Sequence, residues 1–538
     1  MLKSLHRLSL TAALGALALT AALPLTAAPA QAQQELRRSV GPAPDTLDPS
    51  KAETIPAARV LYDLFEGLFT LDVNGNARPA MAESHEVSAD GLVYTFTLRD
   101  AKWSDGSPVT AEDFVFAWRR LADPKTAAPY AYYVWPIVNG EAVTNGKMPP
   151  DALGVEAVDA RTLKVTLHEP AGYFLATLQH PAMSPLHRAS VEKFGDDFVA
   201  PQNMVTNGAY VLRENVPQTY IRLEKSPTYY DADQVAIPRV TDFVIENHDT
   251  EFKQYRAGEL DITSTLPTTQ VNTAKNSFPD AYKATQTYST YYFAFNLNNE
   301  PWKSNAKLRE ALSLAIDRDV IAEKIIGGDE KPAYSFTPPG DVGGYTPPMP
   351  AFRAMTQAER DARAKELLAE AGYPGGKGLG EIEVIYSTSE NNRKVMIAVS
   401  AMWKQKLGVQ ARLNNQEFRV VASIGNEKSY KDILFYAWIG DYPDPYTFLQ
   451  LLRSDVAQQN LPAYKNPAYD AALNKANALT DPEARLAMMA EAEALALADH
   501  PIMTVFHNTR RRLVNPKIKG WEGNALDLHP SRYISFGE

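Results

Sequence analysis

The strongest constraint on the fold is the alternation of helical and strand patterns in the second half of the chain. Tyr291 to Leu297 is an aromatic strand, and Leu308 to Ile326 has the apolar spacing of one amphipathic helix. Further helices and strands alternate up to a last strand at Ile502 to Phe506. Because such alternation builds a sheet covered by helices, the pattern predicts an α/β domain from Tyr291 onward.

The first half of the chain divides into two further regions. Up to about His187, the strand Val93 to Leu98 and the helix that follows Thr110 predict a mixed α/β unit. From 201 to 287 strands dominate, and one of them is a short strand at Leu260 to Thr263. A chain of 538 residues is too long for one hydrophobic core, so we expect two or three domains.

The N-terminus has the pattern of a secretory signal. Two basic residues precede a largely apolar run from Leu8 to Leu25, and Ala30-Gln31-Ala32 is a small-x-small cleavage site. We therefore predict a cleaved signal peptide over 1–32, and the cleavage site argues against a membrane anchor there. No later stretch has the roughly 18 apolar residues of a spanning helix. The expected location is periplasmic and soluble, with secretion to the outside as the alternative.

Composition disfavours several classes of protein. The chain has no cysteine, which excludes disulfides, thiolate metal sites and a lipid-attachment cysteine. The signal holds two of the 54 basic residues and none of the 64 acidic ones, so the mature chain carries a net charge of −12. An acidic chain is a poor general binder of nucleic acid. The common nucleophile, zinc and phosphate-loop motifs are also absent. We therefore predict no catalytic residues, no metal and no cofactor.

One loop is a candidate binding site. Ile433 to Ala437 has the pattern of a buried strand, and Trp438 and Asp441 follow it in a proline-rich loop. Ligands of open α/β sheets bind at such strand ends. A negative charge beside an aromatic face suits a ligand with an ammonium group and an adjoining apolar part. Two alternatives stay open: a core tryptophan beside a solvated turn, and a glycosidase-type carboxylate pair of Asp441 with Asp444.

Several short sequence motifs follow one another in a characteristic order along the mature chain. Examples are Thr46-Leu47-Asp48-Pro49, Asp63-Leu64-Phe65-Glu66-Gly67-Leu68, Ala101-Lys102-Trp103-Ser104-Asp105-Gly106, Val205-Thr206-Asn207-Gly208-Ala209-Tyr210 and Ala315-Ile316-Asp317-Arg318-Asp319. Each phrase alone is a weak signal, and their joint order is a strong one. In this order the chain resembles the periplasmic oligopeptide-binding proteins, which are family 5 extracellular solute-binding proteins and the soluble receptors of ABC peptide importers.

The resemblance implies an α/β fold arranged as a two-lobed, three-domain periplasmic-binding-protein-like clamshell. The implied boundaries are 33–64 for the N-terminal part of the first lobe, 65–187 for a mixed α/β domain inserted into it, 188–288 for its continuation, 289–509 for the second lobe, and 510–538 for a C-terminal return to the first lobe. The implied function is a monomeric, non-catalytic receptor that captures oligopeptides between the lobes and delivers them to ABC transporter permease subunits. The alternatives are a receptor for another amine-bearing solute, such as a murein peptide or an opine-like conjugate, and a secreted hydrolase.

The resemblance also implies which residues bind the ligand. Asp441 matches the carboxylate that pairs with the α-ammonium of a peptide, and Trp438 matches the tryptophan that lines the adjacent pocket. Family members pair the backbone of an extended peptide with strand-like segments of both lobes. The other residues implied at the site are Ala437, Ile439, Glu53 and Ile55 for backbone pairing, and Tyr130 and Tyr292 as aromatic lining. A surface role for Glu53, and core roles for the two tyrosines, are the alternatives.

The chain departs from some relatives at two places. Phe435, Asn392 and Ile326 occupy the positions of a C-terminal pocket where some relatives carry cations that receive the carboxylate of the peptide. Ser289 and Ile439 occupy the positions of a disulfide in some relatives, which agrees with the absence of cysteine. Ligand length, and whether the ligand is a plain peptide, therefore stay open.

Overall fold

The structure is a computed structural model that describes residues 35–537, except 328, 341–343 and 457–458. The predicted signal peptide over 1–32 lies outside the described residues. In chain order the first half contains β1 (Glu35–Gly41), α1 (Ile55–Leu64), β2 (Phe69–Leu71), β3 (Ala77–Pro79), β4 (Ala82–Val87), β5 (Val93–Leu98), α2 (Ala111–Ala122), α3 (Gly140–Thr144), β6 (Val155–Asp159), β7 (Thr162–Thr166), α4 (Phe174–Thr177), α5 (Arg188–Phe194), β8 (Tyr210–Val216), β9 (Tyr220–Lys225), β10 (Arg239–Val244), α6 (His248–Arg256) and α7 (Val271–Ser277).

The second half continues the alternation that the sequence predicts. Its elements are β11 (Tyr282–Phe295), α8 (Ala306–Leu314), α9 (Arg318–Val320) with a π-helical turn (Ile321–Ile326), β12 (Lys331–Pro332), α10 (Gln357–Glu370), β13 (Glu381–Ser387), α11 (Glu390–Leu407), β14 (Gln410–Gln416), α12 (Phe418–Glu427), β15 (Ile433–Ile439), α13 (Tyr446–Leu449), α14 (Pro467–Ala478), α15 (Pro482–Asp499), β16 (Ile502–Leu513), β17 (Ile518–Lys519) and β18 (Ser535–Phe536).

Three larger sheets organise the chain. The first lobe holds a four-stranded sheet of order β1-β10-β9-β8, and the domain inserted into it holds a four-stranded sheet of order β4-β5-β7-β6. The second lobe holds a six-stranded mixed sheet of order β12-β16-β11-β15-β13-β14. The predicted α/β class is confirmed, since each large sheet packs with helices of the same region.

Hydrogen bonds at the helix starts explain why several of the helices form where they do. At α10, Thr356 and Glu359 exchange hydrogen bonds as a capping box, with the Glu359 carboxylate accepting the Thr356 N–H at 2.7 Å. At α15, Asp481 accepts the N–H of Ala484 at 2.7 Å. Satisfied N–H groups at these ends fix the first turn of each helix.

Two sequence predictions are wrong, for local reasons. The single helix expected over Leu308 to Ile326 is broken, because Asp317 has an extended backbone and its side chain accepts the N–H of Val320 at 3.0 Å. The short strand expected at Leu260 to Thr263 is absent from the described chain. There Ile262 forms only two isolated bridges, one to Arg38 and one to Val514.

Two long strands connect the lobes. β11 and β16 pair first between Tyr282–Gln286 and Thr509–Leu513, and again from Thr290 to Ala294, with an interrupted register between the two stretches. The interruption lies beside the predicted boundaries at 288 and 509. The boundaries themselves stay a prediction, and both strands run through them.

A buried carboxylate, Asp527, is one of the ties between the C-terminal segment and the first lobe. Asp527 contacts Arg59 of α1 at 2.8 Å and Arg510 of β16 at 3.3 Å, and it also pairs with Arg512. Burial alone would raise the pKa of Asp527, but the three guanidinium groups hold that pKa well below its ordinary value. The carboxylate therefore neutralises part of a buried cluster of positive charge.

Removal of this negative charge should destabilise the fold. Asp527→Asn keeps the shape and tolerates the left-handed backbone of this position, where φ is 59°. Because it leaves buried cations without a partner, we expect a loss of about 3–5 kcal/mol in the free energy of unfolding, measured by urea titration. The control is Glu192→Ala, which breaks the exposed pair with Arg188 and should cost less than about 1 kcal/mol. Equal costs for the two variants would contradict this account.

Candidate functional site

The carboxyl ends of three parallel strands meet at one edge of the second-lobe sheet. β13 runs parallel to both β14 and β15, so their last residues, Ser387, Gln416 and Ile439, lie on the same side. Helices α11 and α12 begin just beyond the first two of these strands. Such an edge is the usual ligand site of an open α/β sheet. The structure therefore places the predicted loop after β15 where a ligand can reach it.

Alternation along β15 separates its side chains into two groups. Leu434 is buried in one hydrophobic cluster, and Tyr436 and Trp438 pack against the same cluster. Phe435 is buried in a second cluster, with its ring 4.8 Å from that of Phe293. Trp438 is half-buried, and its indole Nε1 has no hydrogen-bond partner among the described residues. Trp438 therefore faces away from the packed side that holds Phe435.

Part of the backbone of β15 is open for pairing. β13 pairs with β15 only at Ile433 and Leu434, so no strand of the described chain pairs with the later residues on that side. On the other side Ala437 pairs with Tyr291 of β11, and Ile439 pairs with Ser289. Ser289 and Ile439, the positions of the disulfide in some relatives, are therefore direct cross-strand partners. The open edge is a template for an added strand.

Asp441 is held in place by its own loop. The N–H of Gly440 donates to the carbonyl of Tyr288 at 2.7 Å, and the N–H of Asp441 donates to the hydroxyl of Thr447 at 3.1 Å. A Cβ atom at Gly440 would lie 2.3 Å from the Tyr288 ring, so only glycine permits this close approach. The backbone beside the carboxylate is thereby fixed against β11.

The Asp441 carboxylate has no cationic partner among the residues that the structure describes. Its one side-chain hydrogen bond there comes from the hydroxyl of Tyr132, at 3.0 Å. Burial raises the pKa of Asp441 to about 7, and the Tyr132 hydrogen bond acts in the opposite direction by favouring the charged form. Binding of an ammonium group stabilises a desolvated, unpaired carboxylate, because the ammonium supplies the missing positive charge.

Asp444, three residues later, has a different role. Arg485 of α15 donates two hydrogen bonds to its carboxylate, at 2.6 and 3.0 Å, and the pair is buried. The carboxylate is therefore engaged in a bidentate ion pair that anchors the loop to α15. This pairing argues against a working carboxylate pair of Asp441 with Asp444.

The facing wall comes from the first lobe and its inserted domain. Glu53 is exposed just before α1, and its N–H donates to Asp45 at 2.8 Å, while Ile55 begins the helix. Burial and the nearby charges of Asp441, Glu53 and Asp45 raise the pKa of Tyr130. Tyr130 thus lies within electrostatic reach of both Asp441 and Glu53.

The remaining predicted residues are placed differently. Tyr292 is buried in β11, opposite Tyr436, with its ring 5.1 Å from that of Phe336. Of the C-terminal pocket positions, Phe435 and Ile326 are buried in the second cluster, and the amide of Asn392 donates to the backbone and side chain of Ser387. None of these three positions presents a charge.

Sequence reasoning missed an aromatic contact between the inserted domain and the loop after β15. The ring of Tyr173 stacks on those of Tyr446, at 4.3 Å, and Tyr442, at 5.9 Å. It also missed Tyr132, although the run Tyr130-Ala131-Tyr132-Tyr133 is a visible aromatic signal. Nothing in the sequence around Tyr173 indicates its partners, because they lie more than 260 positions away.

The comparisons with known proteins identify the class. The family model for bacterial extracellular solute-binding proteins, family 5 middle, matches residues 76–460. The chain belongs to this family. Over 505 residues it is 40% identical to the periplasmic murein peptide-binding protein MppA of Escherichia coli, with 93% of each chain covered. Over 495 residues it is 39% identical to the periplasmic oligopeptide-binding protein OppA of the same species, with 91% of this chain and 90% of OppA covered.

Solved structures agree with this assignment. The unliganded open form of MppA superposes with a TM-score of 0.84 at 38% identity, covering 94% of this chain and 98% of that one. A Haemophilus influenzae OppA complex with the peptide RPPGFSPFR has a TM-score of 0.77 at 37% identity, covering 94% and 99%. These similarities confirm the predicted periplasmic-binding-protein-like clamshell. Among the described residues, no helix combines the length and apolar character that crossing a membrane requires.

The raised pKa of Asp441 should make the stability of the ligand-free protein depend on pH. The folded protein holds this proton up to about pH 7, whereas the unfolded chain releases it near pH 4, so stability falls as the pH rises between these values. We expect Asp441→Asn to raise the free energy of unfolding at pH 8 by up to about 4 kcal/mol and to change it little near pH 4. Urea titrations at both pH values measure this difference.

The control for this prediction is Asp444→Asn. It weakens a buried ion pair with Arg485 and should therefore destabilise the protein at pH 8. The opposite signs of the two variants at pH 8 distinguish an uncompensated carboxylate from a compensated one. A destabilising effect of Asp441→Asn at pH 8 would contradict the prediction.

Proposed function

We propose that the protein is a periplasmic receptor that captures oligopeptides between its two lobes and delivers them to an ABC importer. The observation that carries the proposal is the Asp441 carboxylate, which no cation of the described chain neutralises. A free α-ammonium group supplies that cation, and peptides carry one at their N-terminus. The oligopeptide and murein peptide names of the relatives support the same class of ligand.

The open backbone edge of β15 supports an extended ligand. A peptide that lies along Ala437 and Ile439 can add a strand where the pairing with β13 has ended. Main-chain hydrogen bonds of this kind do not depend on the ligand's side chains, so affinity is distributed along the peptide backbone. Glu53 and Ile55 supply the facing segment of the first lobe in this proposal, with Trp438 and Tyr130 as aromatic lining and the buried Tyr292 supporting β15 from the neighbouring strand.

We infer that the chain binds without catalysis. Asp444 is occupied by Arg485, so a hydrolytic pair with Asp441 lacks its second free carboxylate. In this proposal the mature protein is a monomer in the periplasm after signal cleavage, needs no cofactor, and has permease subunits as its protein partner. Incubation of purified protein with peptide, followed by mass spectrometry, should recover the peptide intact. Turnover would favour the hydrolase alternative.

The proposal predicts that affinity depends on the charge of the ligand's N-terminus. Asp441→Asn removes one partner of a desolvated charge pair, so a free-amine peptide should bind about 2–5 kcal/mol more weakly. This corresponds to roughly 30- to 3,000-fold in Kd by calorimetry. The N-acetylated form of the same peptide should lose little. The control variant Asp100→Asn, at an exposed carboxylate, should bind both forms as the wild type does. Equal losses for the two forms would remove Asp441 from the ammonium role.

The C-terminus of the ligand should behave in the opposite way. Phe435, Asn392 and Ile326 present no positive charge, so we propose that the ligand's carboxylate reaches water. Amidation of a bound peptide should then cost less than about 1 kcal/mol, the scale of an exposed ion pair. Calorimetry with the free, amidated and acetylated forms of one peptide measures the contrast. If amidation of the C-terminus weakened binding as much as acetylation of the N-terminus, a cation elsewhere would have to receive the carboxylate.

Murein peptides are the alternative ligand class within the same mechanism. The relative named for murein peptides and the relative named for oligopeptides are 40% and 39% identical to this chain, so identity does not separate them. Competition between a plain tripeptide and a murein tripeptide decides which ligand class binds more tightly. Both have a free amine, so Asp441→Asn should weaken both.

A further inference from the structure

Tyr132 joins the two lobes at the ammonium site. It lies in a short 3₁₀ turn (Ala131–Val134) of the inserted domain, whereas Asp441 lies in the loop after β15. The Tyr132 hydroxyl donates to Asp441 Oδ2 at 3.0 Å, and it is the one side-chain donor to this carboxylate among the described residues. The contact therefore spans the cleft and touches the group that receives the ligand.

The surroundings of Asp441 explain why one donor matters. The groups that face it are Tyr130, Tyr132 and Tyr133 from the inserted domain and Tyr442 from its own loop. Beyond Tyr130 lie the further carboxylates of Glu53 and Asp45. The half-buried ring of His180 lies 4.3 Å from that of Tyr130, and desolvation lowers the pKa of His180 to about 3, so it is neutral near pH 7. Arg485, which reaches the same loop, is engaged by Asp444.

We propose that Tyr132 is a positioning residue, whose hydroxyl favours the charged form of the Asp441 carboxylate and orients it across the cleft before the ligand arrives. The inference rests on the proposed function, because it assumes that an amine is the ligand group at Asp441. It adds a residue of the inserted domain to the recognition of the ligand's N-terminus. It also makes capture of the amine depend on pH.

The pH dependence follows from the two groups that must both be charged. In the ligand-free protein burial raises the pKa of Asp441 to about 7, so the carboxylate is increasingly protonated below that pH. A peptide α-amino group loses its proton near pH 7.7–8.0. Affinity for a free amine should therefore be greatest between about pH 7 and 8, and below pH 7 it should fall by up to about tenfold per pH unit.

Removal of the Tyr132 hydroxyl should change this profile in a defined direction. The hydrogen bond favours the charged carboxylate, so Tyr132→Phe should raise the pKa of Asp441. The acidic limb of the affinity profile, which is the fall in affinity below about pH 7, should therefore move to higher pH. At pH 7 the free-amine peptide should bind on the order of tenfold more weakly, the scale of one hydrogen bond to a charged group. The N-acetylated peptide should show neither change.

The test is calorimetry of one tripeptide, with free and acetylated N-terminus, from pH 5.5 to 9. The proteins are the wild type, Tyr132→Phe, Asp441→Asn and Tyr94→Phe. Tyr94 is a buried tyrosine of β5 in the same inserted domain, so its variant controls for the loss of a phenol hydroxyl. We expect the acidic limb to move to higher pH in Tyr132→Phe alone, to stay unchanged in Tyr94→Phe, and to be lost in Asp441→Asn.

The outcomes separate this inference from the proposed function. Absence of peptide binding by the wild type would overturn both. Asp441→Asn could bind the free-amine peptide much more weakly while Tyr132→Phe keeps the wild-type acidic limb. That result would overturn the role of Tyr132 and leave the receptor proposal standing. If Tyr132→Phe does not fold, Tyr132→Gln keeps a donor and should retain the wild-type limb, whereas Tyr132→Leu should shift it. Identical limbs in these two variants would also overturn the inference.

Discussion

The antiparallel pairing of β11 with both β15 and β16 is the interaction on which the rest of the structure depends. It places β15 inside the second-lobe sheet, so that the strand ends at the sheet edge where the cleft lies. It also carries β11 and β16 from one lobe into the other. Gly440 closes against Tyr288 of β11, so the same strand that joins the lobes fixes the backbone beside Asp441. The strand β11 therefore both connects the lobes and supports the ligand site.

Among the described residues, most buried carboxylates pair with arginine, whereas Asp441 and the buried Glu493 have no cationic partner. Arg38 pairs with Asp63 and Asp242, Arg485 pairs with Asp444, and three arginines surround Asp527. Several of these pairs, such as Arg38 with Asp242 and Arg59 with Asp527, join parts of the chain that are distant in sequence, and loss of a partner would leave a buried charge. An uncompensated carboxylate costs stability in the ligand-free state. That cost is consistent with a site whose missing cation belongs to the ligand.

Local signals predicted most of the regular structure, and they failed where side chains or distant strands override the pattern. The capping box of Thr356 and Glu359 is a local signal of this kind, since its hydrogen bonds lie within one helical turn. Asp317 broke an otherwise continuous helical pattern by accepting the N–H of Val320. The polar edge strand β14 was not predicted, because its alternating residues cover no continuous core face. At the site, Asp441 was predicted from its place after a strand, whereas Tyr132 was not predicted at all.

The sequence by itself determined the α/β class, the strand that leads to Asp441, and the resemblance that indicates a peptide receptor. The first two depend on periodicity and capping, which are properties of short stretches, and the resemblance depends on the order of short motifs along the chain. Only the tertiary structure decided that Asp441 lacks a cation among the described residues, that Asp444 is taken by Arg485, and that Tyr132 reaches across the cleft. Charge compensation, burial and pKa depend on which distant residues come within a few ångströms, and no local pattern encodes those distances.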